Sequence, residues 1–217
     1  GSVRAYSPNK GNYGDIFQTG HNSNFNVSIS NQTEKLNYRF SASNMDYKAI
    51  VPGSRQNRST FNLNSNVKLH EDLSLDVVAS YISTKTKNRP GLMGDVLASY
   101  GGFFSGAEDV AKMRDQLYRT SDGYKFSTVG SNRPEEFPVA YRGVNLLNYF
   151  WQQNRNEYTE KEDRFLSSAT MNWKIIDKLS LRGRLGTDVT SLNIENKEHN
   201  EYATRFNETN STGRYAV

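Results

Sequence analysis

The chain has 217 residues, enough to bury a sizeable core, yet only 35% of them are hydrophobic and the mean hydropathy is −0.78, which is low for a compact domain of that length. The net charge of +4 comes from Lys and Arg scattered among Asp and Glu, a pattern that disfavours a nucleic-acid-binding protein. The absence of cysteine excludes disulfides and thiolate metal sites, and no apolar run approaches the roughly 20 residues of a membrane helix.

Residues 1–21 are rich in Gly, Asn and Tyr and predict a loop that leads into the first strand. Six later segments alternate apolar and polar residues with a period of two, which is the pattern of a β-strand with one apolar face. The predicted strands are Phe25–Ser30, Leu36–Ala42 running on toward Tyr47, Thr60–Leu69, Leu73–Tyr81, Phe165–Ile175 and Leu179–Val189.

Short turns and longer connections alternate along the chain. Short turns are predicted at 31–35, 70–72 and 176–178, and longer connections at 47–59, at 84–163 and from 193 onward. The short turns therefore lie at one end of the sheet and the long connections at the other. With strands of about ten residues, this layout predicts an all-β fold, an antiparallel up-and-down segment of a transmembrane β-barrel in an outer membrane. The incomplete barrel has about six strands, and 84–163 is a long extracellular loop.

That loop carries two features of its own. Ser105 and Glu108 have the spacing of a capping box, and an apolar helical face follows them, so a short helix is predicted up to Asp122-Gly123. The loop also carries candidate contacts for a substrate or partner. These candidates are Tyr141, Arg142, Tyr149, Phe150 and Trp151. Such aromatic residues either stack on sugar rings or form an interfacial girdle at a membrane surface.

Polar residues on the other strand face are predicted to point into the barrel lumen. They are Arg39, Asn62, Asn64, Arg182 and Arg184. Trp173, near a short turn, is predicted to be a girdle residue on the apolar face.

No catalytic or metal site is predicted, and no cofactor. The three histidines, His21, His70 and His199, lie at no metal-ligand spacing. Glu135-Glu136 and the acidic residues between 160 and 163 lack the fixed separation that a glycosidase acid pair needs.

Several segments resemble the SusC-like (RagA-type) branch of TonB-dependent outer-membrane transporters found in Bacteroidetes. The resemblance is carried by Phe17–Gly20, Asn26–Ser30, Thr33–Lys35, Asn37–Ser41, Ile50–Ser54, Asn57-Arg58 and two Leu-Ser-Leu hairpins, in which 66–75 echoes 172–181. The chain departs from the family pattern at Asn31-Gln32, where Gly-Gly is usual, and at Asn148-Tyr149, where Asn-Pro-Tyr is common.

The resemblance implies a barrel of about 22 strands with a plug and a TonB-contacting segment, so residues 1–217 are expected to be part of the barrel domain with those parts absent. It implies import of glycans or peptides across the outer membrane of a Gram-negative bacterium, and no enzymatic activity. The implied partners are a SusD-like surface lipoprotein, the TonB complex, an oligosaccharide or peptide substrate and outer-membrane lipid, with no nucleic acid.

Two other hypotheses fit the same alternation. A soluble, secreted β-sandwich that binds carbohydrate has its apolar face buried against a second sheet, with shorter strands and comparable loops at both ends. A glycan-degrading enzyme is the weaker alternative.

Overall fold

The computed structural model describes residues 14–90, 156–198 and 214–216, together with Pro8, residues 10–11 and residues 110–111. Its strands form one antiparallel sheet in which each strand pairs with its neighbours in sequence. The elements are a 3-10 helix Gly14–Ile16, then β1 His21–Gln32, β2 Leu36–Lys48, β3 Arg55–His70, β4 Leu73–Lys87, β5 Glu157–Ile176, β6 Leu179–Glu198 and the short β7 Arg214–Ala216. The fold is thus all-β and up-and-down, with six long strands as predicted. Within the described ranges the sheet is open, because β1 pairs with β2 alone.

The three short turns are confirmed, at 33–35, 71–72 and 177–178. We call this edge the short-turn end of the sheet, and the opposite edge the long-loop end. At the long-loop end the predicted strands are too short. The segment 47–59 is mostly strand, since only 49–54 connects β2 to β3, and β4, β5 and β6 all extend beyond the alternating segments.

Polar pairing explains the extra strand length. The start of β3 carries polar residues on both faces, and at the end of β2 the apolar residues Met45 and Tyr47 lie on the opposite face from the apolar residues before them, so the regular alternation by which a strand is recognised is lost. Lys48 nevertheless lies opposite Arg55, and Asp46 accepts two hydrogen bonds from Arg55, at 2.9 and 2.6 Å. Lys87, the last residue of β4, donates one hydrogen bond to Glu157, the first residue of β5, at 2.6 Å. The backbone ladder therefore continues where the sequence pattern has ended.

The register sorts the side chains into two faces, because residues directly opposite in a ladder point the same way. One register row runs through Val27, Ala42, Phe61, Tyr81, Phe165 and Val189. We call the face that contains this row the apolar face. The neighbouring row on the other side of the sheet runs through Ser28, Ser41, Asn62, Ser80, Leu166 and Asp188. We call that side the polar face.

Among the described residues the buried core is small, and it includes the segment before β1. Ile16 is fully buried, and Ala49, in the β2–β3 connection, is almost fully buried. Gln18 holds the two segments together by donating from Nε2 to the carbonyl oxygens of Ala49 and Val51, at 2.9 and 3.1 Å. A turn with Gly53 at φ 76° closes the connection.

Gly20 fits closely against this connection, so we expect Gly20→Ala to lower the free energy of unfolding by about 1 to 2 kcal/mol. A Cβ at Gly20 would lie 2.9 Å from the carbonyl oxygen of Lys48, a backbone atom that can move only with its strand. Gly183→Ala is the matched control, since a Cβ there meets nothing within 4 Å; it should be neutral or stabilising by up to about 1 kcal/mol. Urea titration measures both, and equal effects would contradict the packing argument.

The predicted loop helix lies outside the described residues except for two. Val110 and Ala111 are helical, and Val110 is fully buried.

Candidate functional site

Large hydrophobic side chains are exposed along the whole apolar face. Phe25 is 69% exposed, Ile29 62% and Leu185 81%. Among the described elements, contacts occur only between strands that are neighbours in the sheet, so none packs over this face. A continuous apolar surface of this size on a protein marks an interaction site or contact with a membrane.

The apolar part of this face forms a band without charge. In β5 it extends from Phe165 to Ile175, and the facing residues of β4 extend from Leu73 to Tyr81. Among the described residues of all six long strands, no Asp, Glu, Lys or Arg lies within this band on the apolar face. At about 3.3 Å per residue the β5 part is about 33 Å long. A strand tilted by about 40° carries that length over a height of about 25 Å, which is the height of the lipid-facing band of outer-membrane barrels.

Aromatic side chains lie at both boundaries of the band. At the long-loop end the rings of Phe61 and Tyr81 are stacked with centroids 6.4 Å apart, and Phe165 lies opposite Tyr81 in the next strand. The Tyr81 hydroxyl donates to Asp163 at 2.9 Å, so the ring lies in the band and its polar tip reaches out of it. At the short-turn end Trp173 is 43% exposed on the apolar face, as predicted.

Hydrogen-bonded side chains cover the polar face. Asp76 accepts from Asn66 at 2.5 Å and from Asn172 at 2.9 Å, which links three strands. Ser80 donates to Asn62 at 2.8 Å. These contacts join polar side chains that point away from the apolar band, so this face is suited to contact with water.

The five predicted lumen residues all lie on the polar face: Arg39, Asn62, Asn64, Arg182 and Arg184. Arg184 and Asp188, a residue not predicted as part of a site, both line an open hollow of about 420 Å³ that is lined also by Val78 and Ser168. Asp188 accepts two hydrogen bonds from Arg164, at 2.9 and 2.5 Å. The alternation already placed Asp76 and Asp188 on this face, but only the register shows which residues they contact.

Beyond the apolar band, at the long-loop end, the apolar face becomes charged. The bidentate contact with Arg55 lowers the pKa of Asp46, mainly through the hydrogen bonds; desolvation opposes this shift, and the charge of the guanidinium adds to it. The same contact raises the pKa of Arg55. Both groups therefore stay ionised and paired at neutral pH.

The predicted substrate or partner contacts all belong to the long connection between β4 and β5. Tyr141, Arg142, Tyr149, Phe150 and Trp151 lie outside the described residues, as does His199. Among the residues that are described, no group of three or more metal-ligating side chains could hold a metal ion.

In the described part of the chain, no helix is long and apolar enough to cross a membrane.

The chain was compared with protein-family models and with curated proteins. No family model matches it, and no curated protein matches it.

Proposed function

We propose that this chain is part of the wall of a transmembrane β-barrel in the outer membrane of a Gram-negative bacterium. The observation that carries the proposal is the uncharged apolar band on one face of an up-and-down sheet, with a hydrogen-bonded polar network on the other face. A barrel wall needs this division, because one face meets lipid and the other meets the lumen. The aromatic residues at both boundaries match the girdles of such barrels.

The barrel is proposed to be a transporter of the SusC-like type, importing glycans or peptides with a SusD-like lipoprotein and energised by the TonB complex. Two segments that carry the resemblance, Phe17–Gly20 and Ile50–Ser54, contact one another through Gln18 in the structure. The resemblance thus includes two segments that meet in the fold although Gln18 and Val51 are 33 positions apart in the sequence, a contact that alternation of residues alone does not explain. In this function the chain has no catalytic role.

The exposed apolar face disfavours the soluble β-sandwich. A sandwich buries that face under a second sheet about 10 Å away, and the described residues contain only one sheet. The strands also differ from those expected of a sandwich, since β5 and β6 each have 20 residues.

Two neighbouring valines in β4 test the assignment of faces. Val77 lies opposite Ala169 on the apolar face, and Val78 lies opposite Ser168 on the polar face. The chain has no cysteine, so Val77→Cys and Val78→Cys can each carry one polarity-sensitive fluorophore. With the chain embedded in its complete barrel in phosphatidylcholine vesicles, we expect a blue-shifted emission for the label at Val77→Cys, quenched by lipids brominated on their acyl chains. The label at Val78→Cys should keep an aqueous emission and escape quenching.

If both labels were quenched equally, or if neither were quenched, the proposed barrel wall would be contradicted. A folded chain that stays in solution, with only the label at Val77→Cys shielded from water, would favour the sandwich.

A further inference from the structure

Basic side chains gather on the apolar face beyond the apolar band, at the long-loop end. One register row places His21, Lys48, Arg55 and Lys87 side by side on four neighbouring strands. In the next row Lys85 lies directly opposite Lys161. We call Lys48, Arg55, Lys85, Lys87 and Lys161 the cationic rim. Like charges directly opposite one another destabilise a sheet, so an external anion bound between these rows would stabilise it.

Carboxylates of the same sheet neutralise only part of the rim. Arg55 contacts Asp46 at 2.6 Å, Lys87 contacts Glu157 at 2.6 Å and Lys161 contacts Asp163 at 3.1 Å. Lys48 and Lys85 have no carboxylate within salt-bridge distance among the described residues. The rim thus carries a surplus of positive charge.

The surplus belongs to the apolar face alone. In the two nearest rows of the polar face, the charged residues are Arg58, Glu160 and Glu162, and the remaining positions are uncharged. The surplus cations therefore lie on the side of the sheet that would face lipid, whereas the side that would face the lumen carries both signs, with Glu160 in contact with Arg89.

The height of the rim matches the headgroups of a bilayer. Tyr81 marks the boundary of the apolar band, and Lys85 lies about 13 Å farther along the same strand. In a strand tilted by about 40°, this distance corresponds to a height of about 10 Å above the band. The headgroup layer extends about 5 to 8 Å beyond the hydrocarbon core. A lysine side chain is long enough to bring its ammonium group back into that layer.

We propose that the cationic rim binds the phosphate groups of anionic lipid headgroups in the leaflet at the long-loop end. This inference rests on the proposed barrel wall. An acidic protein could match the charge, but a lipid also matches the uncharged apolar band that continues on the same face. Each Lys or Arg close to an anionic membrane surface strengthens attachment about fivefold, the equivalent of about 1 kcal/mol.

The test places the chain, together with the flanking sequence that completes its barrel, in two kinds of vesicle, one of phosphatidylcholine and one containing 30% phosphatidylglycerol, at low salt. The readout is the ratio of the folding equilibrium constants in the two vesicles, from urea titration. Wild type should fold more stably in the anionic vesicle. The double variant Lys48→Gln/Lys85→Gln should lose this preference by roughly tenfold or more. The control Arg39→Gln/Arg58→Gln removes two charges from the polar face and should retain it, and 0.5 M salt should abolish it.

Other outcomes separate the two proposals. If wild type folds in neither vesicle, the barrel wall fails and the rim proposal fails with it. If wild type folds in both with equal stability, the barrel wall stands, the lipid site is overturned and an acidic protein becomes the expected occupant. An equal loss of preference in the rim variant and the control would also overturn the lipid site, since net charge would then explain it.

Discussion

Val77→Arg is expected to lower the free energy of unfolding of the membrane-inserted chain by about 2 to 4 kcal/mol, the cost of an arginine on the lipid face of a barrel near the bilayer midplane. Val77 is the middle apolar residue of β4, with Ser65 and Ala169 directly opposite it. A guanidinium there has no charged or lumenal group to contact, and the midplane is too far from either surface for the side chain to reach water readily.

Val78→Arg is the matched control, with the same substitution at the next residue. Its neighbours across the ladder are Asn64 and Ser168, so the new side chain enters a hydrated polar surface. Arg184 lines the same hollow, but water screens the repulsion, and the expected cost is below about 1 kcal/mol. Urea titration in phosphatidylcholine vesicles measures both variants. If Val77→Arg cost no more than Val78→Arg, the assignment of the apolar face to lipid would be contradicted.

Alternation alone was enough to predict the faces. Phe25, Val27 and Ile29 share the apolar face as expected, and so do Trp173 and Leu181 in the last hairpin. A period of two is a local property of the chain and a strand cannot be slipped by one residue without reversing its faces. The short turns were equally predictable, because each lies between two alternating segments.

The strand ends were not predictable, because they depend on partners distant in sequence. Asp46 and Arg55 are unremarkable polar residues until the register places them in bidentate contact. The polar network has the same limitation. Asp76 lies on the expected face, but its bond to Asn172 joins strands that the long connection separates. A shift in register between Lys68 and His70 adds a bulge that no sequence pattern shows.

Asn88→Ala is expected to lower the free energy of unfolding by about 3 kcal/mol or more, the sum of two causes. Asn88 directly follows β4 and is fully buried. Its Oδ1 accepts from the Tyr158 amide at 2.8 Å, and its Nδ2 donates to the Asn156 carbonyl at 3.2 Å. Alanine leaves both backbone groups without these partners, at about 1 to 3 kcal/mol for each buried group. Asn88 also has a φ of 47°, a left-handed conformation that costs alanine roughly 1 kcal/mol.

Two further variants separate these causes. Asn88→Gly removes the same side-chain hydrogen bonds but adopts a positive φ freely, so it should be more stable than Asn88→Ala by about 1 kcal/mol. Asn88→Asp keeps the acceptor for Tyr158 and loses the donor for Asn156. Its cost should therefore exceed that of losing one neutral bond, because the new carboxylate faces a carbonyl oxygen. If glycine restored full stability, the side-chain bonds would contribute nothing and backbone strain alone would explain the loss. Equal losses in glycine and alanine would instead assign the whole effect to the bonds that hold β4 and β5 together where the long connection begins.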